Sequence, residues 1–274
     1  MTSSIKDRMK LNNGVEIPYL GLGTWPMRGR KEVDRAIHSA LETGYRLIDT
    51  AAAYYNEKEI GEAIKSSEVS REEIFITTKL DNYDHGYKQA MKAFEKSLRN
   101  LEMDYVDLYL IHWPVKGRNE SWKAMEELLS QGKCKAIGVS NFMINHLEEL
   151  KKNPSVMPAV NQFELNPFVY EKEVIEYCQK LGVAIEAYTP IARGKKSKDS
   201  TIKELSDKYG KTEAQLMLRW GLQHNAIVIP KSSNPERIKE NGDIFDFNIN
   251  DEDMRVLNSM GEGLRYSPDP HSYD

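Results

Sequence analysis

The stretch RLIDTAAAYYNEKEIGEAIKS, residues 46–66, contains one strand–helix unit whose pattern recurs through the chain. It opens with a short apolar run at 46–50 and continues into a segment with helical periodicity at 57–66. A short apolar run without polar alternation is typical of a strand that is buried on both faces. Such a strand followed by a helix is the repeating unit of α/β proteins with a parallel sheet.

The chain contains eight units of this kind. Their apolar runs lie at 18–22, 46–50, 74–79, 105–111, 135–139, 158–163, 183–188 and 226–229. Their helical segments lie at 31–43, 57–66, 87–100, 121–131, 144–152, 171–181, 201–223 and 235–241. We expect the seventh helical segment to break near Gly210 and restart at Thr212, which is a good helix N-cap. Eight units predict an α/β fold with a closed (β/α)8 TIM barrel, rather than an open doubly wound sheet.

Two further elements are expected outside the eight units. Asn13-Gly14 between short alternating segments predicts an N-terminal β-hairpin. After the last unit, residues 250–260 predict an extra helix, followed by an irregular C-terminal tail that runs to Asp274. Because no linker, low-complexity tract or charge block interrupts the pattern, we expect residues 1–274 to form a single domain.

Composition narrows the class of partner. The chain has 38 Lys and Arg against 42 Asp and Glu, a net charge of −4, which argues against nucleic acid as the main partner. No apolar run approaches the ~20 residues that span a membrane, and the polar start MTSSIKDRMK does not resemble a secretory signal. Cys134 and Cys178 are too few for a disulfide framework. These features predict a cytoplasmic protein, and no segment suggests an oligomeric interface, so we expect a monomer.

Titratable side chains stand at the ends of consecutive strand runs. The second run ends at Asp49 with Tyr54 just beyond it, the third ends at Lys79, and the fourth is followed by His112. Each could be structural on its own, as a helix cap, a packing aromatic, a solvated strand end or a buried histidine. In a (β/α)8 barrel, however, the carboxyl ends of all strands open onto the face that carries the active site. We therefore expect these four side chains to converge.

The four groups suit proton delivery to an oxygen atom. A phenol has a pKa of about 10, and a nearby ammonium favours its phenolate and so makes it a better acid. A carboxylate would hold the ammonium in place, and the imidazole could orient a substrate oxygen. This combination is typical of carbonyl reduction. No metal is predicted, because the remaining histidines lack ligand spacing.

Later strand ends could bind a nicotinamide cofactor. A flat aromatic with amide and hydroxyl side chains suits a carboxamide-bearing ring, and the candidates are Ser140, Asn141, Gln162 and Tyr188. After the eighth run, Lys231, Ser232 and Ser233 precede a helix that carries Pro235 and Arg237 in its first turn. A helix N-terminus with these cations and hydroxyls is a good phosphate site, although an ordinary capped helix remains an alternative. The chain has no G-x-G-x-x-G fingerprint.

These motifs together resemble the aldo-keto reductase superfamily. The resemblance rests on GYRLIDTAAAYYNEKEIGEAI, LIHWP, GVSNF, NQFELNP and IPKSSNPERIKEN, and it extends from near Lys10 to near Tyr273. The short loops and tail are most similar to the prokaryotic-type branch, which includes 2,5-diketo-D-gluconate and glyoxal or methylglyoxal reductases. The resemblance implies NADPH-dependent reduction of aldehydes and ketones in a (β/α)8 barrel.

The resemblance also implies residue roles. The catalytic tetrad would be Asp49, Tyr54, Lys79 and His112, with Tyr54 as proton donor. The cofactor-binding residues would be Ser140, Asn141, Gln162, Tyr188, Thr189, Pro190, Ile191, Lys231, Ser232, Ser233, Asn234, Arg237, Glu240 and Asn241. Within that set, Lys231, Ser232 and Arg237 would hold the 2′-phosphate, and Glu240 and Asn241 the adenine. The substrate pocket would be lined by Trp25, Tyr54, His112 and Trp113.

The sequence departs from the family pattern at several positions. Tyr55 stands where glycine is common and could narrow the pocket or crowd Tyr54, Asn166 replaces a usual histidine, and Thr189 replaces a common serine. Two readings compete with a reductase. One is a cofactor-binding sensor or accessory barrel without significant catalysis. The other is a Schiff-base aldolase that uses Lys79, which would require a neutral amine.

Overall fold

Eight parallel strands form a ring at the centre of the structure, a computed structural model that describes residues 2–152, 156–196, 198–263 and 265–273. The strands of the ring are β3 (Leu22–Gly23), β4 (Leu47–Asp49), β5 (Phe75–Leu80), β6 (Val106–Ile111), β7 (Cys134–Ser140), β8 (Val160–Glu164), β9 (Ala184–Tyr188) and β10 (Ala226–Val228). Each strand pairs in parallel with the next along the chain. The amide of Val228 donates to the carbonyl of Tyr19 and the amide of Gly21 donates to the carbonyl of Val228, both at 2.9 Å. These bonds close the sheet, which confirms the predicted (β/α)8 barrel.

Helices surround the strands in the predicted order. They are α1 (Arg30–Thr43), α2 (Glu57–Lys65), α3 (Tyr87–Leu101), α4 (Arg118–Ser130), α5 (Ile144–Leu150), α6 (Lys172–Leu181), α7 (Ser200–Tyr209), α8 (Glu213–Gln223), α9 (Pro235–Gly242) and α10 (Asp251–Asn258). The predicted break in the seventh helical segment is confirmed. Gly210 ends α7 with a left-handed φ of 63°, and the Thr212 hydroxyl accepts a hydrogen bond from the amide of Gln215 at the start of α8.

A β-hairpin, also as predicted, covers the amino-terminal end of the barrel. Its strands are β1 (Arg8–Lys10) and β2 (Glu16–Pro18), and Gly14 makes the turn with a φ of 88°. Its buried Ile17 packs with apolar side chains inside the barrel, namely Leu47, Phe75, Leu108, Val160 and Ile227. The side-chain Nδ2 of Asn12 donates to the Pro158 carbonyl at 2.8 Å. The hairpin therefore closes the amino-terminal end of the barrel.

The inward-facing side chains change character along the barrel. Alternate residues of a strand face the same side, so Leu47 and Asp49 point inward from β4, and Phe75 and Lys79 point inward from β5. The apolar members lie near the hairpin, and the charged members lie toward the carboxyl ends. The order of the inward-facing residues along each strand therefore places the polar side chains at one end of the barrel interior.

The extra helix α10 confirms the prediction for residues 250–260, and a tail follows it. Leu264 and Asp274 of the predicted tail, Ser197 of the segment after the seventh strand, and Met1 lie outside the described residues. Among the helices that the structure describes, none is both long and apolar enough to cross a membrane. That residues 1–274 form a single domain and a monomer stays a prediction.

Candidate active site

Asp49 and Lys79 form a fully buried ion pair at the carboxyl end of the barrel. The Lys79 Nζ lies 2.6 Å and 2.8 Å from the two carboxylate oxygens of Asp49 and donates to the Thr50 carbonyl at 2.9 Å. Burial is the largest single influence and would lower the pKa of Lys79, but the charge and hydrogen bond of Asp49, together with Tyr54 and Glu186, outweigh it, and the net effect raises this pKa. Lys79 is therefore an ammonium at neutral pH, and the neutral amine that a Schiff-base aldolase requires is disfavoured.

Tyr54 ends a short turn, Ala52–Tyr54, and brings its hydroxyl to 3.4 Å from the Lys79 Nζ. Burial raises the pKa of Tyr54, and the charge of Lys79 opposes that effect without cancelling it. The ammonium thus lowers the pKa of the phenol, as expected, but this effect is smaller than the rise that desolvation causes. Tyr54 consequently keeps its proton at neutral pH, beside a cation that would stabilise the phenolate after the proton leaves.

The His112 side chain follows β6 and packs against the edge of Tyr54, with ring centroids 5.6 Å apart at an interplanar angle of 73°. Burial, together with the nearby Lys79 charge, lowers the pKa of His112 to about 3. The imidazole is therefore neutral and carries a single N–H donor. The structure thus brings all four predicted catalytic side chains together.

The predicted pocket residues have different surroundings. Trp25 is 46% exposed. The guanidinium carbon of Arg193 lies over its ring, 4.7 Å from the Trp25 ring centroid. Trp113 packs against Tyr273 of the tail at 5.2 Å, so the tail reaches this end of the barrel. Tyr55 has a left-handed φ of 56° and is 78% exposed. The concern that Tyr55 might crowd Tyr54 is therefore wrong, because its side chain extends into solvent.

The predicted carboxamide-binding residues also lie together. The Tyr188 hydroxyl donates to the Asn141 side-chain oxygen at 2.8 Å, and the Asn141 amide nitrogen donates to the Ser140 hydroxyl at 3.1 Å. Asn141 has a left-handed φ of 64°, which asparagine tolerates better than most residues. The Gln162 Nε2 points inward and donates to the Asp49 carboxylate at 2.8 Å. Gln162 therefore contacts the predicted catalytic set.

The segment after β9 begins with Thr189, Pro190 and Ile191, three of the predicted cofactor-binding residues. Thr189 has a left-handed φ of 52°, and its carbonyl accepts a hydrogen bond from Asn166 Nδ2 at 3.1 Å. Asn166, the departure from the family pattern, thus stabilises an unusual backbone conformation at the start of this segment.

The predicted phosphate-binding residues surround the start of α9. The Asn234 side chain accepts from the amide of Arg237 at 3.1 Å, and the Ser232 hydroxyl accepts from the amide of Asn234 at 3.2 Å. Lys231 forms an ion pair of 3.3 Å with Glu32 and lies 3.5 Å from the Ser233 hydroxyl. Arg237 is exposed, and no ion pair with it is present among the described residues. Two cations beside a helix N-terminus fit a phosphate group.

Glu240 and Asn241, predicted to contact adenine, lie one turn later. The Glu240 carboxylate accepts a hydrogen bond from the Thr212 hydroxyl at 2.9 Å, and Asn241 is buried. Glu240 thus links α9 to the start of α8. Its contact with adenine stays a prediction.

Two buried carboxyl groups of this site did not emerge from the sequence. Glu186 on β9 accepts a hydrogen bond from Gln162 at 2.8 Å. Glu164 on β8 accepts from the amides of Tyr266 and Ser267 and so anchors the tail. A usable signal existed for Glu186, which interrupts the apolar run at 183–188, because glutamate is rarely buried without a partner. Glu164 directly follows the run at 158–163.

Comparisons with known proteins agree with this geometry. The family model described as "Aldo/keto reductase family" matches residues 19–262. The glyoxal reductase of Bacillus subtilis is 46% identical over 98% of this chain and 98% of its own length. An aldo-keto reductase from a Medee basin deep-sea metagenome library has a crystal structure that matches with a TM-score of 0.93 and 43% identity, covering 97% of this chain and 99% of that one.

A third match bears on the cofactor. The crystal structure of a Bombyx mori aldo-keto reductase, in complex with NADP, matches with a TM-score of 0.89 and 36% identity over 97% of each chain. The family model covers most of the barrel, and the relatives are nearly as long as this chain. These matches together show the family to which the chain belongs. The chain belongs to the aldo/keto reductase family, whose members are oxidoreductases that reduce carbonyl groups.

Proposed function

We propose that this protein reduces small aldehydes and ketones to alcohols with NADPH, and that oxo-aldehydes of the glyoxal type and keto-sugars are its substrates. The observation that carries the proposal is a protonated Tyr54 hydroxyl 3.4 Å from a buried ammonium that Asp49 holds charged. The similarity to the glyoxal reductase of Bacillus subtilis supports the substrate class.

NADPH, when bound, supplies the hydride that reduces the carbonyl carbon. Tyr54 donates its hydroxyl proton to the carbonyl oxygen, which gains negative charge as the hydride arrives. Lys79 stabilises the resulting phenolate by its positive charge, and Asp49 keeps Lys79 charged and in place. The neutral His112 ring donates a hydrogen bond to the same oxygen and orients it.

The residues present fit this cofactor at both of its ends. Tyr188 would stack on the nicotinamide ring, while Ser140, Asn141 and Gln162 would contact its carboxamide. At the other end, Lys231, Ser232 and Arg237 would hold the 2′-phosphate beside the first turn of α9. The exposed Arg237 is available for this role, and Lys231 would share its charge between the phosphate and Glu32.

The test is a panel of aldehydes and ketones assayed by NADPH absorbance, with parallel assays in NADH and in excess chelator. We expect reduction of glyoxal-type substrates, faster with NADPH, and unchanged by the chelator because the proposed mechanism uses no metal. Failure to reduce any carbonyl in a broad panel would refute the proposal. NADPH binding without any turnover would favour the cofactor-binding sensor, and borohydride trapping of Lys79 on a carbonyl compound would favour the aldolase.

A further inference from the structure

A second carboxyl group lies inside the barrel beside the Asp49–Lys79 pair. Glu186 is fully buried on β9, where its register partners are Gln162 on β8 and Ile227 on β10. Its side chain faces inward, since it is bonded to the inward-pointing side chain of Gln162. The proposed mechanism gives this carboxyl no role.

Gln162 connects the two carboxyl groups directly. Its Nε2 lies 2.8 Å from Asp49 Oδ2 and 2.8 Å from Glu186 Oε2. A side-chain amide nitrogen carries two protons, so each carboxyl receives one of them. The orientation of Gln162, and with it the hydrogen bond from Gln162 to Asp49 Oδ2, therefore depends on Glu186.

The charges around Glu186 do not balance if it is ionised. Asp49 and Lys79 neutralise each other, while Tyr54 and Gln162 are uncharged and Ile227 is apolar. Glu186 Oε1 is buried, and no hydrogen-bond donor reaches it among the described residues. Burial first, and the negative charge of Asp49 second, raise the pKa of Glu186 to about 8. Both effects favour the protonated form of Glu186 over the ionised form.

We propose that Glu186 is a positioning residue for proton donation. In its protonated form it holds Gln162 against Asp49, and in its ionised form it weakens Tyr54 as an acid. The inference rests on the proposed function, because it assigns the proton donor to Tyr54. Its physical basis is electrostatic: a second buried negative charge opposes the Lys79 ammonium, and less stabilisation then remains for the Tyr54 phenolate.

The first test compares the pH profiles of the wild type and Glu186→Gln at saturating NADPH. This variant keeps the shape and the acceptor of the side chain but cannot ionise. We expect the wild-type kcat to fall about tenfold between pH 7 and pH 9, because a group with a pKa near 8 then leaves about a tenth of the molecules protonated. We expect Glu186→Gln to keep its pH 7 rate at pH 9. Superimposable profiles would overturn the proposal.

Glu164→Gln is a matched control. Glu164 is equally buried and lies on the neighbouring strand β8, but its hydrogen bonds go to the tail. Whatever its absolute rate, the kcat of this variant should fall between pH 7 and pH 9 as the wild-type kcat does. Loss of the decline in both variants would show a general effect of removing a buried carboxyl, and the assignment to Glu186 would fall.

The second test needs neither turnover nor cofactor. Infrared spectra of the apo protein should show the C=O band of a protonated carboxyl at pH 7, and the band should disappear near pH 8 and be absent from Glu186→Gln. A wild-type spectrum without this band at pH 7 would overturn the proposal, even if the variant failed to fold. If the wild type reduced no carbonyl compound, the proposed function would fail, while the infrared result would still decide the protonation of Glu186.

Discussion

Replacing Lys79 by methionine should destabilise the protein in a pH-dependent way. The substitution removes hydrogen bonds of 2.6, 2.8 and 2.9 Å and leaves Asp49 buried with no cation. Breaking a buried ion pair by removing one partner costs about 3–5 kcal/mol. Burial already raises the pKa of Asp49, and Lys79 is the main opposing influence, so this pKa should rise further in the variant.

The sign of the pH dependence follows from that raised pKa. A carboxyl whose folded-state pKa exceeds its unfolded value of about 3.9 favours folding at low pH, and this stability is lost as pH rises toward the folded pKa. The free energy of unfolding of Lys79→Met should therefore lie about 3–5 kcal/mol below wild type at pH 8, and the difference should shrink at pH 5. Urea denaturation at the two pH values measures both quantities.

Two further variants separate charge from packing. Lys65→Met removes the exposed ion pair with Glu102 and should change stability little at either pH. The double variant Asp49→Asn/Lys79→Met buries no charge and should regain much of the lost stability without regaining carbonyl reduction. If Lys79→Met lost no more stability than Lys65→Met at pH 8, or lost equal amounts at both pH values, the reasoning from the buried pair would be wrong.

Other predictions test single groups. Tyr54→Phe should slow hydride transfer ~10²–10⁴-fold in single-turnover assays while cofactor affinity stays near wild type; a near-normal rate would move the acid role to His112. Arg237→Ala should weaken NADPH binding about ten- to a hundredfold, as expected for one charge-assisted contact to phosphate, and should weaken NADH binding far less. Fluorescence titrations of both cofactors at two salt concentrations measure these affinities. Equal losses for the two cofactors would show that Arg237 does not bind the 2′-phosphate. Because the pKa of His112 is about 3, its NMR signals should not titrate between pH 5 and pH 8, and a midpoint near 6 would contradict the neutral donor role.

The architecture was predictable because each strand–helix unit carries its own signal. Apolar runs and helical periodicity alternate through the chain, and Gly210 and Thr212 mark a helix end and start by local chemistry. The first barrel strand was less well predicted. The expected run at 18–22 includes only Leu22 of β3. Tyr19 and Gly21, within the same run, form hydrogen bonds with Val228 that close the barrel. That pairing joins the two ends of the chain's strand series, and no local pattern encodes it.

The site was predictable to the extent that topology alone brings strand ends together. Asp49, Lys79 and His112 could be identified because any barrel gathers the carboxyl ends of its strands. Glu186 carried a signal, because it interrupts an apolar run, but its partner could not be predicted. A glutamate in a strand can face inward or outward, and only the register of β8 against β9 sets Glu186 opposite Gln162. The contact between Glu240 and Thr212 depends on tertiary packing of α9 against α8 in the same way.

The arrangement of the barrel interior explains how so many charged groups can be buried together. Desolvation of the carboxyls and the ammonium costs several kcal/mol per ion, and only part of this is recovered by their mutual hydrogen bonds. The opposite end of the same interior is filled by apolar side chains and covered by Ile17 of the hairpin. Burial of apolar surface there contributes about 25 cal/mol per Å². The hairpin end can thus stabilise the fold while the charged end remains costly, and this division predicts that substitutions of Ile17 should lower stability without altering the pH dependence of carbonyl reduction.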